Sequence, residues 1–356
     1  MIFQRALLRE FASLAGAVFM TLFLISITVR LIRLLGQAAG GKLPSDAVVA
    51  FLGFFTINAL PILLSLTVFI TILLTLTRGY RDSEMVIWFN SGLSAAAWVK
   101  PVFMFAGPLV AVIGALSLFI SPWAAQKAEE FRVGIDKRDE VSRVSPGVFG
   151  ESTAKDRVFF VESISGDAMA VQNVFVNSVQ HRKTGIMMSN KGYVETAPNG
   201  DRFLVLLNGR RYEGNPGEAV FKVMEFERYE TRIDAKEGGE PAETQKSRST
   251  QQLIESPTNT NLGELVWRIG VPLSALILAF LAIPMSYVNP RAGRSANLLF
   301  ALLTYMVYSN LLSLSQARVA QGQMSFVTGL CLVHGVMAVA LAFLFARRMS
   351  LFGLRG

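Results

Sequence analysis

The sequence has little with which to do redox, metal or nucleophilic chemistry. One cysteine, Cys331, and two histidines, His181 and His334, occur in 356 residues. A single cysteine closes no disulfide within the chain, so an oxidising compartment is neither required nor excluded. So few sulfur and imidazole ligands leave no cluster with metal-ligand spacing. The two histidines lie in segments of different character, and no Ser/His/Asp set can be argued from them. The phosphate-cradling pattern G-x-x-x-x-G-K-[ST] is missing; "GGKLPS" has a Lys after Gly but no Ser or Thr beside it. Charged residues make up only 17% of the chain, against about 25% in ordinary globular domains. If the protein does work, the energy enters through another protein.

What is present is apolar. Hydrophobic residues are 52% of the total and mean hydropathy is +0.42. Six uncharged runs, 11–29, 47–77, 101–126, 269–290, 295–317 and 319–346, are long enough to span a bilayer, which takes roughly 20 apolar residues. The first lacks a small-residue cleavage site and continues into "RLIRLLG", so it reads as a retained span rather than a signal peptide. None of the six runs contains an acid, which argues against a proton- or ion-coupled transporter. His334 is the one titratable side chain near the middle of a run, and is expected to be hydrogen-bonded between helices.

Charge sets the expected orientation. The net charge is +8, divided into +11 outside residues 121–264 and −3 inside them. The basicity belongs to the membrane part, no soluble basic stripe exists, and nucleic acid is excluded as a partner. Arg5, Arg9, Arg78, Arg81, Lys100, Arg291, Arg294, Arg347, Arg348 and Arg355 fall at one set of span ends. That side is expected to be cytoplasmic, with both termini, and 121–264 lies on the other side.

The outer segment changes texture. Residues 129–141 are charged and suit a short helix leading from the third span. From about 145 on, "DRVFFVES", "MAVQNVFVNSV", "GIMMSNKGYVET", "DRFLVLLNGRRYEG" and "AVFKVMEFERYE" are separated by Gly/Asn/Pro/Asp turns. Short, partly alternating runs of this kind predict a sandwich, jelly roll or barrel. The fold class expected is therefore membrane α-helical, six transmembrane helices, with an inserted all-β, jellyroll-like domain. Residues 1–120 hold the first three spans, with a short helix at about 81–92 between the second and third. Residues 121–235 hold the connector and β domain, 236–264 a flexible polar tether, and 265–356 the last three spans.

Two features call for a reason. In "TRGYRDSEMVIWFNSGLS", residues 77–94, the chain places Asp82 and Glu84, two of only four acids outside 121–264. Asp82 or Ser83 suits the cap of a short helix and Gly92 its end. A plain interfacial helix favours Lys/Arg on its polar face; here the helix carries Glu84 among Met85, Val86, Ile87, Trp88 and Phe89. A carboxylate on an apolar plug suits docking into a groove that presents Arg or Lys. Both readings stay open from these residues alone. The second feature is Arg30, Arg33, Arg268 and Arg318, four guanidinium groups at the outer ends of spans, against the charge rule. Headgroup anchoring is the ordinary explanation; bidentate phosphate binding is the functional one.

"RDSEMVIWFNSGLS", "NPRAGRS" at 289–295, "LIRLLGQAAGGKLPSDAVV" after the first span and "GRRYEG" in the β segment occur in that order. Together they resemble the LptF/LptG permease family of the lipopolysaccharide export system, on its F-type side. The resemblance covers nearly the whole chain. It implies one half of a heterodimer, a non-catalytic subunit whose other half is a second six-span permease of the G type. A cytoplasmic ATPase dimer would bind the ATP and Mg, leaving no cofactor in this chain. Lipopolysaccharide would leave the bacterial inner membrane and pass through a periplasmic jelly roll to a bridging jellyroll protein. By the same resemblance Glu84, with Met85, Trp88 and Phe89, falls where the family couples to its ATPase. Arg30 and Arg33 fall where it meets substrate phosphates; depth alone adds Arg268 and Arg318. Phe159, Val161, Phe203 and Val205 are candidates for the acyl-chain path, though most such residues are simply core. Arg211 and the 289–294 loop match family motifs without a physical role that the residues reveal. The alternatives are an ABC permease for another lipid or lipoprotein, and a membrane-anchored assembly factor that transports nothing.

Overall fold

The computed structural model describes residues 2–40, 43–92, 95–136, 147, 149–151, 157–165, 170–180, 183–196, 202–214, 222–233, 244–287 and 296–353. The 289–294 loop, Lys42 and His181 lie outside these described residues. The chain forms two units, Met1–Glu129 with Glu243–Gly356, and Glu130–Ala242.

The first unit is helical: α1 (Ile2–Ala39), α2 (Val48–Arg81), α3 (Glu84–Asn90), α4 (Val99–Ala115), a π-turn at Leu116–Ile120, α5 (Ser121–Asp136), α6 (Thr250–Glu255), α7 (Asn259–Met285), α8 (Ala296–Ala320) and α9 (Phe326–Gly353). Six segments are long and apolar enough to cross a membrane: Gln4–Ala39, Ser45–Arg81, Ala96–Ile135, Asn259–Met285, Asn297–Ala320 and Phe326–Arg347. The six expected spans are all there, and all but the last are longer than their apolar runs. At 1.5 Å per residue α1 extends about 57 Å, well past the hydrocarbon core. The extra turns put Glu10, Asp46, Glu129, Glu130 and Glu264 on spanning segments that the apolar runs alone leave free of acids.

Helix α7 is the centre of this unit. It packs against α2, α4, α8 and α9. Small residues let it do so: a Cβ at Gly263 would lie 2.8 Å from both Ala320 Cβ and the Gln316 carbonyl, and one at Gly270 would meet Leu312. Such close approach through glycine is how helices gain contact where lipid removes the hydrophobic drive between them. By contrast, α1 packs on α2 and α4, yet no residue in its most apolar stretch is buried. Met20, Leu24, Ile25 and Ile32 are more than half exposed.

Of the polar segment 236–264 read as a tether, 236–243 lie outside the described residues. From 244 on it folds against the bundle. Ser249 caps α6, accepting from the Gln252 amide at 3.2 Å while the Gln252 side chain accepts from the Ser249 amide at 2.8 Å. This S-x-x-Q capping box satisfies two amides that the helix start leaves free.

The second unit is one antiparallel sheet in strictly sequential order, β1 (Phe149–Glu151), β2 (Arg157–Ser165), β3 (Ala170–Gln180), β4 (Lys183–Thr196), β5 (Arg202–Gly214) and β6 (Lys222–Ile233). The five expected strands are present and β1 is added. The described strands form a meander, without the crossover that Greek-key connectivity produces. Val171, Val174 and Leu206 form its core, with Val176, Met187, Leu204, Phe226 and Tyr229 packed around them.

A crease crosses the sheet. The ladders skip one residue pair in the same row of every junction from β2 to β6, along Glu162, Asn173, Asn190, Asn208 and Glu227. Asn173 and Asn208 have φ of 49° and 51°. Left-handed backbone in mid-strand is steric strain for most side chains and is tolerated by Asn. On either side of the row the register is unchanged, so the crease bends the strands without shifting which side chains share a face.

Candidate functional site

The loop between α2 and α4 builds a knob at the end of the bundle where α1 begins. Ser83 turns the chain with φ 62°, and Gly92 closes α3 with φ 88°. Ser83 makes no side-chain cap, so the expected capping there is corrected: its left-handed backbone turns the chain instead. Met85 is 4% exposed and sits in the core cluster that includes Leu7, Phe11, Leu76 and Trp98. It fits because residue 79 is glycine; a Cβ there would stand 2.9 Å from Met85 Cε. Trp88 and Phe89 are half-buried against the same cluster, and the Phe89 ring lies 6.4 Å from that of Tyr80.

Met85, one of the expected coupling residues, is therefore an anchor pointing into the bundle rather than part of the outward surface. A seven-residue helix buries one face, and the larger apolar residues took it. What projects outward is Val86, 56% exposed, Ile87, 69% exposed, and the half-exposed Glu84 carboxylate. Arg78 Nη2 lies 2.9 Å from Glu10 Oε1 and 3.6 Å from Glu84 Oε1. Exposed pairs of this kind contribute about 0–1 kcal/mol, so Arg78 orients Glu84 without consuming it.

At the other end of the spans the four guanidinium groups separate. Arg30 and Arg33 are exposed on α1, one turn apart. Arg30 Cζ stands 5.0 Å from the Phe55 ring centroid on α2, which steadies a cation while leaving its donors available. Arg318 is exposed in the last turn of α8. Arg268 differs: it is 1% exposed. Its Nε donates to Glu264 at 3.1 Å, Nη1 to Thr250 Oγ1 at 2.9 Å, and Nη2 to the carbonyls of Gln245, Lys246 and Arg248 at 3.1, 3.3 and 2.9 Å. Against the phosphate contact expected of Arg268, all three of its nitrogens are bonded inside the chain.

Between α2, α7 and α8 lies a cavity of about 190 Å³, lined by Ser65, Trp267, Ser274, Tyr305, Tyr308 and Asn310 among others. Next to it, the Tyr308 hydroxyl and His334 Nδ1 are 2.6 Å apart, the interhelical histidine pairing expected from sequence. Among the described residues no three His, Cys, Asp or Glu come together as a metal site.

In the β unit Val205 is fully buried and Phe203 half-buried; Phe159 and Val161 are on β2, with side chains outside the described residues. Val205 and Leu206 are both buried although consecutive strand residues face opposite sides, so β5 is covered on both faces. Arg211, without a role in the sequence, donates to the Tyr229 hydroxyl at 2.6 Å and pairs with Glu213 at 3.5 Å. On the sheet surface, Glu225 holds the Arg210 guanidinium pKa above its ordinary value by charge, and Glu230 raises that of Arg228 by a hydrogen bond.

This chain, a membrane bundle with an inserted sheet, matches the family model "Lipopolysaccharide export system permease LptF/LptG" over residues 5–347. The chain belongs to the LptF/LptG family. The lipopolysaccharide export system permease protein LptF of Escherichia coli K12 is 27% identical over 313 residues, which is 86% of this chain and 84% of that protein. The LptF protein of Shigella flexneri gives the same figures. Like other LptF/LptG members, this is a multi-pass lipopolysaccharide export permease rather than a catalytic enzyme.

Proposed function

We propose that this LptF/LptG member is the F-type half of an ATP-driven transporter, and that it takes lipopolysaccharide from the inner membrane and delivers it to its own periplasmic β domain. A G-type permease forms the other half. A cytoplasmic ATPase dimer holds ATP and Mg below, and a periplasmic jellyroll protein receives the substrate above. In this reading both termini are cytoplasmic, which the ten cations at that set of ends support.

The observation that carries the ATP-coupled reading is α3. A helix seven residues long does not stay folded alone, yet it is pinned by Met85 and presents Glu84 beside the exposed Val86 and Ile87. An apolar tip with one carboxylate suits a groove that offers a cation, and a push there reaches the bundle through Met85. Arg30 and Arg33 are exposed, and Arg30 is steadied over the Phe55 ring, which supports a hold on phosphates of the glycolipid headgroup. The α1 face left bare supports a lipid or partner-helix contact. An ion-coupled mechanism gains nothing from Glu264, which is already paired with Arg268.

The test is composition and stimulation. Purified in mild detergent, the protein should carry a second six-span chain and an ATPase, and lipopolysaccharide should stimulate nucleotide turnover in proteoliposomes. Stimulation by another lipid and not by lipopolysaccharide would overturn the substrate; absence of any ATPase would overturn the mechanism.

A further inference from the structure

The β insertion hangs from two stems. The outgoing stem is α4, the π-turn and α5; the returning stem is the segment from 244 through α6 into α7. Each contains a proline one helical turn past a carbonyl: Pro122 removes the amide that would have bonded the Leu118 carbonyl, and Pro272 the one for the Arg268 carbonyl. In a membrane bundle an orphaned carbonyl must find another donor. Here each is filled from the other stem. The Thr250 hydroxyl donates to the Leu118 carbonyl, and the Ser117 hydroxyl donates to the Arg268 carbonyl at 3.0 Å.

The buried guanidinium completes the junction. Arg268 donates to Thr250 Oγ1 at 2.9 Å, which directs the Thr250 proton toward Leu118. It also holds three carbonyls of residues 245–248 on the returning stem. Its partner Glu264 accepts from Gln316 of α8 at 3.3 Å. A fixed fork bonded through all three of its nitrogens is a rigid joint, because a buried guanidinium that loses one partner keeps its desolvation cost.

We infer that this latch, with Arg268 and Thr250 as positioning residues, passes movement of α7 and α8 in the membrane to both stems of the β insertion. Loss of the latch leaves nucleotide turnover running while delivery of glycolipid falls behind it. The inference rests on the transport reading above, and its test separates the two.

The experiment uses the whole complex in proteoliposomes containing lipopolysaccharide, and measures glycolipid delivered per ATP hydrolysed. Thr250→Val keeps shape and removes the hydroxyl. It should lower delivery per ATP about tenfold, the effect of one hydrogen bond to a charged group, with ATP turnover within about twofold of wild type. Thr250→Ser, which restores the hydroxyl, should recover the wild-type ratio. Delivery per ATP unchanged in Thr250→Val would overturn the latch, as would a proportional fall of both activities, which marks a merely structural role. Failure of the wild-type complex to deliver lipopolysaccharide would overturn the transport reading itself.

Discussion

Met85 and Ile87 are neighbours on one short helix and should behave oppositely. Met85 is 4% exposed and Ile87 69% exposed. Truncating a buried Met to Ala costs about 2–5 kcal/mol, and the low end applies where the site can collapse. A surface helix of seven residues can settle, so Met85→Ala should destabilise the seating of α3 by about 2 kcal/mol, or about 30-fold in the ratio of seated to open forms. Hydrogen exchange of amides 87–92 reads this directly, since Ser91 and Gly92 donate to Ile87 and Phe89 at 3.1 and 3.0 Å. In Ile87→Ala the same amides should exchange within about twofold of wild type, while ATPase recovery on purification drops. Equal exchange in Met85→Ala and wild type would refute the anchoring argument, and so would a large increase in Ile87→Ala.

Three further outcomes follow from the same geometry. Arg268→Met leaves Glu264 buried without its cation and should cost about 3–5 kcal/mol in thermal denaturation, whereas Arg318→Ala should stay within about 0.5 kcal/mol. Arg30→Ala/Arg33→Ala should lower photo-crosslinking to lipopolysaccharide with folding intact; unchanged crosslinking rejects the phosphate role. Asn208 sits at φ 51° in mid-strand, so Asn208→Val should destabilise by about 1–2 kcal/mol, while Asn208→Gly, read by the same melting curve, should be nearly neutral.

The spans and strands were legible because each follows a local rule. A long apolar run and a period-two run between turn residues need no tertiary knowledge. The direction of Met85 was not legible: a helix has a face, but which side meets the bundle depends on Leu7, Phe11 and Trp98 from elsewhere in the chain. Arg268 was misread because depth along a span says nothing of who stands beside it. Its partners come from a segment whose polar composition reads as tether. The signals were present, in the "STQQ" capping box at 249–252, in Glu264 and Arg268 four apart, and in prolines at 122 and 272. The crease left a trace too, as Asn173, Asn190 and Asn208 in mid-strand, yet their alignment needs the register.

The central claim is that force enters this permease through the Glu84-bearing knob. Glu84→Gln keeps size and hydrogen bonding and removes the charge. With partner subunits recovered in normal amount, nucleotide turnover and glycolipid delivery measured together should both fall by about tenfold or more. Wild-type values of both in that variant would contradict the claim.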